Sequence, residues 1–362
     1  MSIARLRLAR TDSIGPITYR RLLARYGTAE AALAALPGIA RKAGRTTPMR
    51  LPSAASAQKL IEQTQQLDAK LVFLGDPTYP ALLARLPDAP PVITVAGTIP
   101  DQPAVAIVGS RNASANGRKI SETIAEDLAN AGYSVVSGLA RGIDTAAHRG
   151  ALRSGRTIAC IAGGLDHPYP PENKDLQTLI AESGAVIAEM PLGTEPQARH
   201  FPRRNRIIAG LTLGTLVVEA AIKSGSLITA RLAAEAGREV FAVPGSPLDA
   251  RCRGSNGLLR DGAHLTETAT DIIVQLQGRI AHDVPGLAES LIIFDDADPE
   301  EADKARVQVL DLLSPAPTAV DDLIRRCQFS AAAVMSVLLD LEIAGRIEAL
   351  PGNRVALLEP GS

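Results

Sequence analysis

The sequence predicts an α/β protein with a doubly wound, mostly parallel sheet, preceded by a small all-α module and followed by a winged-helix module. Three observations carry that prediction. Between residues 104 and 244, six short β-branched runs alternate with amphipathic stretches, the rhythm of successive β-α units. Residues 1–70 read as helical throughout. Residues 301–362 read as three helices followed by two strands about a Pro351-Gly352-Asn353 turn.

At the N-terminus, a Gly15-Pro16 pair introduces a helix over Tyr19 to Tyr26, and a second Ala/Leu-rich helix runs from Thr28 to Leu36. Residues 44–53, GRTTPMRLPS, break the pattern as a loop before a helix over Ala54 to Leu67. In residues 71–278 the runs AVAIVG (104–109), YSVVSG (133–138), TIACIA (157–162), AVIAEM (185–190), TLVVEA (215–220) and EVFAVP (239–244) are apolar without alternation. They therefore read as strands covered on both faces. Helices over Gly117 to Ala131, Thr145 to Arg153 and Ser226 to Ala236 connect them, which makes the sheet parallel and puts any ligand at the strands' carboxyl edge. The pieces LVFL and VITVAG within 71–103 extend the sheet. Residues 279–300 are acidic and read as a linker, and helices near 302–313, 319–327 and 330–344 open the last module.

Composition bounds the function classes. A hydrophobic content of 46% over 362 residues suffices for a sizeable core, and 38 basic against 39 acidic side chains leave nucleic-acid binding to local charge alone. Cys160, Cys252 and Cys327 have no C-x-x-C spacing, which argues against a zinc site and a disulfide framework and fits a reducing, cytoplasmic setting. The start MSIARLRLAR has no apolar signal core, and no charge-free apolar run is long enough to span a membrane.

Three glycine-rich turns fall at strand ends. Gly109-Ser110-Arg111 follows the first core strand, where backbone N–H groups, a hydroxyl and a guanidinium can meet a phosphate; the same residues also fit ordinary turn chemistry. G-x-G-x-x-G is not met, so a dinucleotide cofactor is not expected. In the second turn, Ser137 to Asp144, the Asp144 carboxylate suits a helix N-cap. The third, Lys223-Ser224-Gly225-Ser226, opens a helix and forms another anion site, with Glu219 placed to orient Lys223 or Arg111, or simply exposed. Between the last two lies RHFPRRNR, 199–206. Over 195–231, six basic side chains against Glu195 and Glu219 leave a local excess of four positive charges, a surface suited to tracking phosphates. Phe201 sits among these charges, placed either to stack a base or to join the core. No catalytic constellation emerges: His148, His167 and His200 are scattered, Asp166-His167-Pro168 reads as a turn, and no G-x-S-x-G elbow or metal-spaced acidic pair occurs. The expectation is a binding protein without cofactor or metal, not an enzyme.

Tyr79-Pro80, VGSR at 108–111, SGLARGID at 137–144, GGLDHPYPPEN at 163–173, FPRRNRIIAGL at 201–211, VVEA followed by KSGSLITA to 230, and VPGS at 243–246 together resemble the DNA processing protein A family, also called Smf. The resemblance implies an extended Rossmann-like core that binds and protects single-stranded DNA and loads the RecA recombinase during natural transformation. It also implies a homodimer through that core, with the segment 254–265 at the interface. Carried over by position, Gly109, Ser110 and Arg111 contact phosphate, Phe201 contacts a base, and Lys223, Ser224 and Ser226 form the anion-binding turn. Arg204, Asn205 and Arg206 fall in the pocket-lining segment. The N-terminal GPITYRRLLARYG resembles a helix-hairpin-helix or sterile-alpha-motif module. Helix 330–344, the presumed recognition helix, has no Lys or Arg, and residues 301–358 hold six basic and eight acidic side chains, so protein contact or regulation is favoured over groove insertion. The competing enzyme reading is a phosphoribohydrolase, whose P-G-G-x-G-T-x-x-E pattern is met here only by Gly214-Thr215 and Glu219 at altered spacing.

Overall fold

The computed structural model describes residues 2–45, 47, 49–280, 298–350 and 353–358. They divide into two compact units: 60–285 forms one, and 1–59 with 286–362 forms the other. The acidic linker expected at 279–300 and the Pro351-Gly352 turn lie largely outside the described residues.

The chain opens with helices α1 (Ser2–Ala9), α2 (Pro16–Tyr26), α3 (Ala29–Lys42) and α4 (Ala54–Gln66). Pro16 occupies the first turn of α2, where its missing N–H costs nothing. Thr28 caps α3 by accepting the Ala31 N–H at 3.2 Å. The α/β unit follows as β1 (Ala69–Phe73), α5 (Ala81–Ala84), β2 (Val92–Gly97), β3 (Ala104–Gly109), α6 (Ala115–Asn130), β4 (Ser134–Ser137), α7 (Ile143–Ala151), β5 (Thr157–Ile161), α8 (Lys174–Ser183) and β6 (Ala185–Ala188). It continues through α9 (His200–Gly210), β7 (Gly214–Val218), α10 (Gly225–Glu235), β8 (Glu239–Ala242), α11 (Arg253–Arg260), β9 (His264–Leu265) and α12 (Ala269–Ile280).

These strands form one nine-stranded sheet in the order β1-β2-β6-β5-β4-β3-β7-β8-β9. β3 to β9 run parallel, while β1 and β2 are added antiparallel at the β6 edge. Along β3, Ala104, Ala106 and Val108 enter one apolar cluster and Val105 and Ile107 the other. That period of two, with both faces buried, is why the run carries no polar alternation. The order reverses at β3: β4 lies on one side and β7 on the other. The crevice beyond their carboxyl ends is where such sheets bind ligands.

The second unit adds α13 (Pro299–Leu312), β10 (Thr318–Ala319), α14 (Val320–Arg326), α15 (Ala331–Ile343), β11 (Ile347–Leu350) and β12 (Arg354–Leu357), with a β10-β12-β11 sheet: a winged helix. The helix expected at 330–344 is α15, and one face of it belongs to the N-terminal core. Leu339 and Ile343 are buried among Leu8, Tyr19, Leu22, Leu33, Leu36 and Ile39. Asp340 takes Arg306 at 2.8 Å and Arg25 at 3.5 Å. Burial lifts the Glu342 carboxyl above the usual range, and the nearby Arg21 charge opposes that rise. The Arg45 guanidinium reaches the Ile343 carbonyl at the helix end at 3.5 Å. The absence of Lys and Arg from α15 therefore has a packing cause: the helix faces a basic, apolar partner within its own chain. Ile343→Ala should cost this unit about 2–5 kcal/mol by leaving a cavity, read as an earlier urea transition together with loss of hydrogen-exchange protection in α2 and α3.

Candidate functional site

The carboxyl ends of β3, β4 and β7 run into the three glycine-rich turns, and α9 ties the turns together. α9 is a helix that the run RHFPRRNR conceals, because Pro202 falls in its first turn, where no intrahelical N–H is needed.

Arg204 reaches from α9 into the interior. Its guanidinium donates to the carbonyl of Gly138, in the turn after β4, and to the Cys160 carbonyl at 2.8 Å. The Gly138 N–H donates to the Asp144 carboxylate at 3.1 Å, and the Ala140 N–H to the same oxygen at 3.3 Å. Gly138 is thus held by a carboxylate at its N–H and by a guanidinium at its carbonyl. A Cβ at Gly138 would overlap that guanidinium, which is why glycine stands there. Asp144 is not the cap the sequence suggested. α7 starts a residue earlier, after Gly142, and the Asp144 side chain turns back to the N–H groups of the preceding loop. Burial raises its pKa, and the Arg204 charge opposes the shift.

The same loop supports the turn after β3. Gly142, at φ 76°, lies directly beneath the Ser110 and Arg111 carbonyls, and the Ile143 N–H donates to the Ser110 carbonyl at 3.2 Å. Ser110 Oγ accepts the Asn112 N–H at 3.2 Å, and Ser114 caps α6 through the Gly117 N–H at 2.9 Å. Gly109 packs so closely on the Val218 carbonyl of β7 that no side chain fits. Arg111 is exposed, with its guanidinium 5.0 Å from the centre of the Phe201 ring; that of Arg204 lies at 5.8 Å. Phe201 is half-buried, and its ring meets that of Tyr169 edge-on at 5.9 Å and 68°.

On the other side of α9, Asn205 Nδ2 donates to the Gly225 carbonyl at 3.3 Å, which fixes the turn after β7. Ser224 caps α10, its hydroxyl 2.6 Å from that of Ser226, and Lys223 projects into solvent at the helix N-terminus. Glu219 orients neither Lys223 nor Arg111. Its carboxylate accepts the Ser114 N–H at 2.8 Å and the Ser114 hydroxyl, joining β7 to the start of α6. Leu139 and Glu219, in the turns after β4 and β7, both sit in the left-handed region at φ 56° and 51°, conformations retained where the surroundings enforce them.

A protein-family model described as DNA recombination-mediator protein A matches residues 70–277. The chain belongs to this family. Further models match at residues 1–62, a DprA-like N-terminal HHH domain, and at 295–353, a DprA winged helix domain. Protein Smf of Synechocystis sp. is 34% identical over 327 residues, covering 82% of this chain and 82% of that protein. The X-ray structure of DNA processing protein A from Streptococcus pneumoniae is similar at TM-score 0.63 and 36% identity, over 75% of this chain and 95% of that one. A Helicobacter pylori DNA processing protein A, whose structure is described for its unique single-stranded DNA binding mode, aligns at TM-score 0.53 and 29% identity, over 58% of this chain and 96% of that one.

In this recombination-mediator chain the expected site residues separate by location. Arg111 and Lys223 are exposed, and Gly109, Ser110, Phe201 and Ser224 are half-buried. Arg204, Asn205 and Arg206 are 6%, 8% and 9% exposed, and their polar groups are spent on the protein itself. Arg206 bonds to the Asp88 carbonyl and the Glu189 carboxylate, so the pocket-lining role expected of it gives way to a structural one. Ser226 is also buried and meets Ser224. Arg231 pairs with Glu235 at 3.5 Å. The local positive excess therefore reduces to Arg199, Arg203 and Lys223, to which the fold adds Arg111. Among the described residues none of these four has a carboxylate at ion-pair distance. Asp166 holds the Gly193 N–H at 2.8 Å, a tie between loops. Among the described residues, no cluster of three His, Cys, Asp or Glu side chains is placed to hold a metal, and no helix is long and apolar enough to cross a membrane. Tyr169 was missed in the sequence because its neighbour Phe201 is 32 positions away and only the fold joins them.

Proposed function

We propose that the chain binds single-stranded DNA across the crevice at β3 and β7 and serves as a recombination mediator. Arg111, Arg199, Arg203 and Lys223 take phosphates and Phe201 takes a base. The observation that carries the reading is that α9 bears both the Phe201 ring, on which the exposed Arg111 guanidinium lies, and Asn205, which holds the turn of Lys223 at the N-terminus of α10. A single strand offers the two ligand types that such a surface fits, a row of phosphates and unstacked bases. The single-stranded DNA binding stated for the Helicobacter pylori relative supports it. An Arg111 that leaves the Phe201 ring for a phosphate also frees a ring face for a base, so the two contacts form together. Arg204, Asn205, Arg206 and Ser226 build the site without touching the strand.

Delivery of the strand to a RecA-type recombinase in the cytoplasm, during natural transformation, completes the reading on the strength of family membership. So does a homodimer through the α/β unit, by way of the segment 254–265.

Fluorescence anisotropy on a labelled single strand across a salt series tests the binding. Arg111→Ala should weaken affinity and reduce the log-log salt slope by about 0.7, the share of one single-strand phosphate. An unchanged slope would remove Arg111 from the contact surface, and salt-insensitive binding by the unmutated chain would refute the reading.

A further inference from the structure

Among the described residues, Tyr169 is the only aromatic side chain that stands among the exposed large hydrophobic residues, 47% exposed in a chain with five Tyr, five Phe and no Trp. The other described aromatic rings are buried or half-buried. Tyr169 is exposed on a loop that the fold holds firmly. Asp166 accepts the Gly193 N–H, Gln177 Nε2 donates to the Leu165 carbonyl at 3.0 Å, and Glu172 pairs with Arg141. Asn173 Nδ2 donates to the Leu139 carbonyl and to Thr145 Oγ1, both at 2.9 Å. A fixed, solvent-facing ring 5.9 Å from the proposed base contact is a second surface on which a base can lie.

We propose that Tyr169 stacks a second base, and that the 68° between its ring and that of Phe201 makes the site select strands whose neighbouring bases are not stacked on one another. This rests on the single-strand reading and adds specificity to it. Adjacent bases in a duplex, or in a run of purines, lie parallel. A strand that places one base on each ring must turn between them by about the angle of the rings, which breaks its own stack. A pyrimidine run gives up little stacking in doing so. A purine run gives up more, and a duplex cannot comply without unpairing. Sequence preference in such a site therefore comes from stacking strength rather than from base-edge hydrogen bonds. Phe201 alone imposes no such turn, because one ring accepts a base from any strand.

Anisotropy with the full chain and labelled oligo-dT, oligo-dA and an abasic strand of equal length tests this, using Tyr169→Ala and Tyr169→Phe. The unmutated chain should prefer dT to dA. Tyr169→Ala should bind dT roughly tenfold more weakly, bring the dT/dA ratio close to one and leave the salt slope unchanged, since no phosphate contact is lost. Tyr169→Phe should retain both affinity and ratio, and all three proteins should bind the abasic strand alike. Equal loss on dT and dA, or loss on the abasic strand, would make Tyr169 a mere support for Phe201 and overturn the proposal, as would unchanged dT binding by Tyr169→Ala. An unmutated chain that binds none of the strands would instead overturn the single-strand reading beneath it.

Discussion

Arg204→Ala is expected to cost the α/β unit about 3–5 kcal/mol, the penalty for removing one partner from a buried set of charges. The guanidinium is the main cation that opposes the burial of Asp144, so its loss leaves that enclosed carboxylate with only the weaker Arg111 charge and the Gly138 and Ala140 N–H groups. The Gly138 and Cys160 carbonyls lose a donor in the same step. Urea unfolding followed by circular dichroism measures the cost, and an unchanged midpoint would show that the guanidinium is not the pin described here. Arg204→Lys keeps the charge but not the fork that bridges two carbonyls, so it should fall between the two. DNA affinity should drop with Arg204→Ala as well, because the loop under Arg111 and the helix bearing Phe201 lose their common anchor.

Stability should also depend on pH through His148. Its ring is fully buried in α7, with Nδ1 2.7 Å from Thr157 Oγ1. The Thr157 hydroxyl donates to the Val135 carbonyl at 2.7 Å, so it accepts from a protonated Nδ1, while Nε2 has no protein partner among the described residues. Burial, assisted by the Arg204 charge, holds the pKa down to about 3 from an ordinary 6.5. The unfolded chain therefore binds a proton between those values that the folded chain refuses, and stability falls as pH falls from 6.5 towards 3. The slope is about 1.4 kcal/mol per pH unit, and it vanishes outside that window. His148→Gln cannot titrate, so subtracting its pH profile cancels the carboxylates common to both proteins and leaves the histidine contribution. Parallel profiles for the two proteins would mean that His148 protonates in the folded state.

How much was legible beforehand depended on where each signal resided. The strand at 104–109 was visible because a buried parallel strand is apolar at every position, and the edge strand β9 escaped because His264–Leu265 is too brief to show a pattern. α9 was hidden by Pro202 and by its charge, since a helix whose arginines point inward lacks the usual polar and apolar faces. Within the candidate site, Arg111, Phe201 and Lys223 were singled out from turn chemistry and charge, and the structure leaves Arg111 and Lys223 exposed and Phe201 half-buried. The division among the arginines was not: Arg203 and Arg204 are neighbours in sequence, one exposed and the other 6% exposed.

By itself, the sequence determined the doubly wound sheet, the winged helix and the glycine-rich turns at the strand ends, because each follows from local periodicity and from glycines at strand termini. The tertiary structure alone decided which charges face outward, that Asp144 and Arg204 grip the two sides of Gly138, that α15 is covered by α2 and α3, and that Tyr169 meets Phe201. The physical reason is that burial, hydrogen-bond partnership and ring angle are properties of pairs of residues far apart in the chain. Local composition records that an arginine is present, whereas only packing fixes whether its partner is a carbonyl, a carboxylate or solvent.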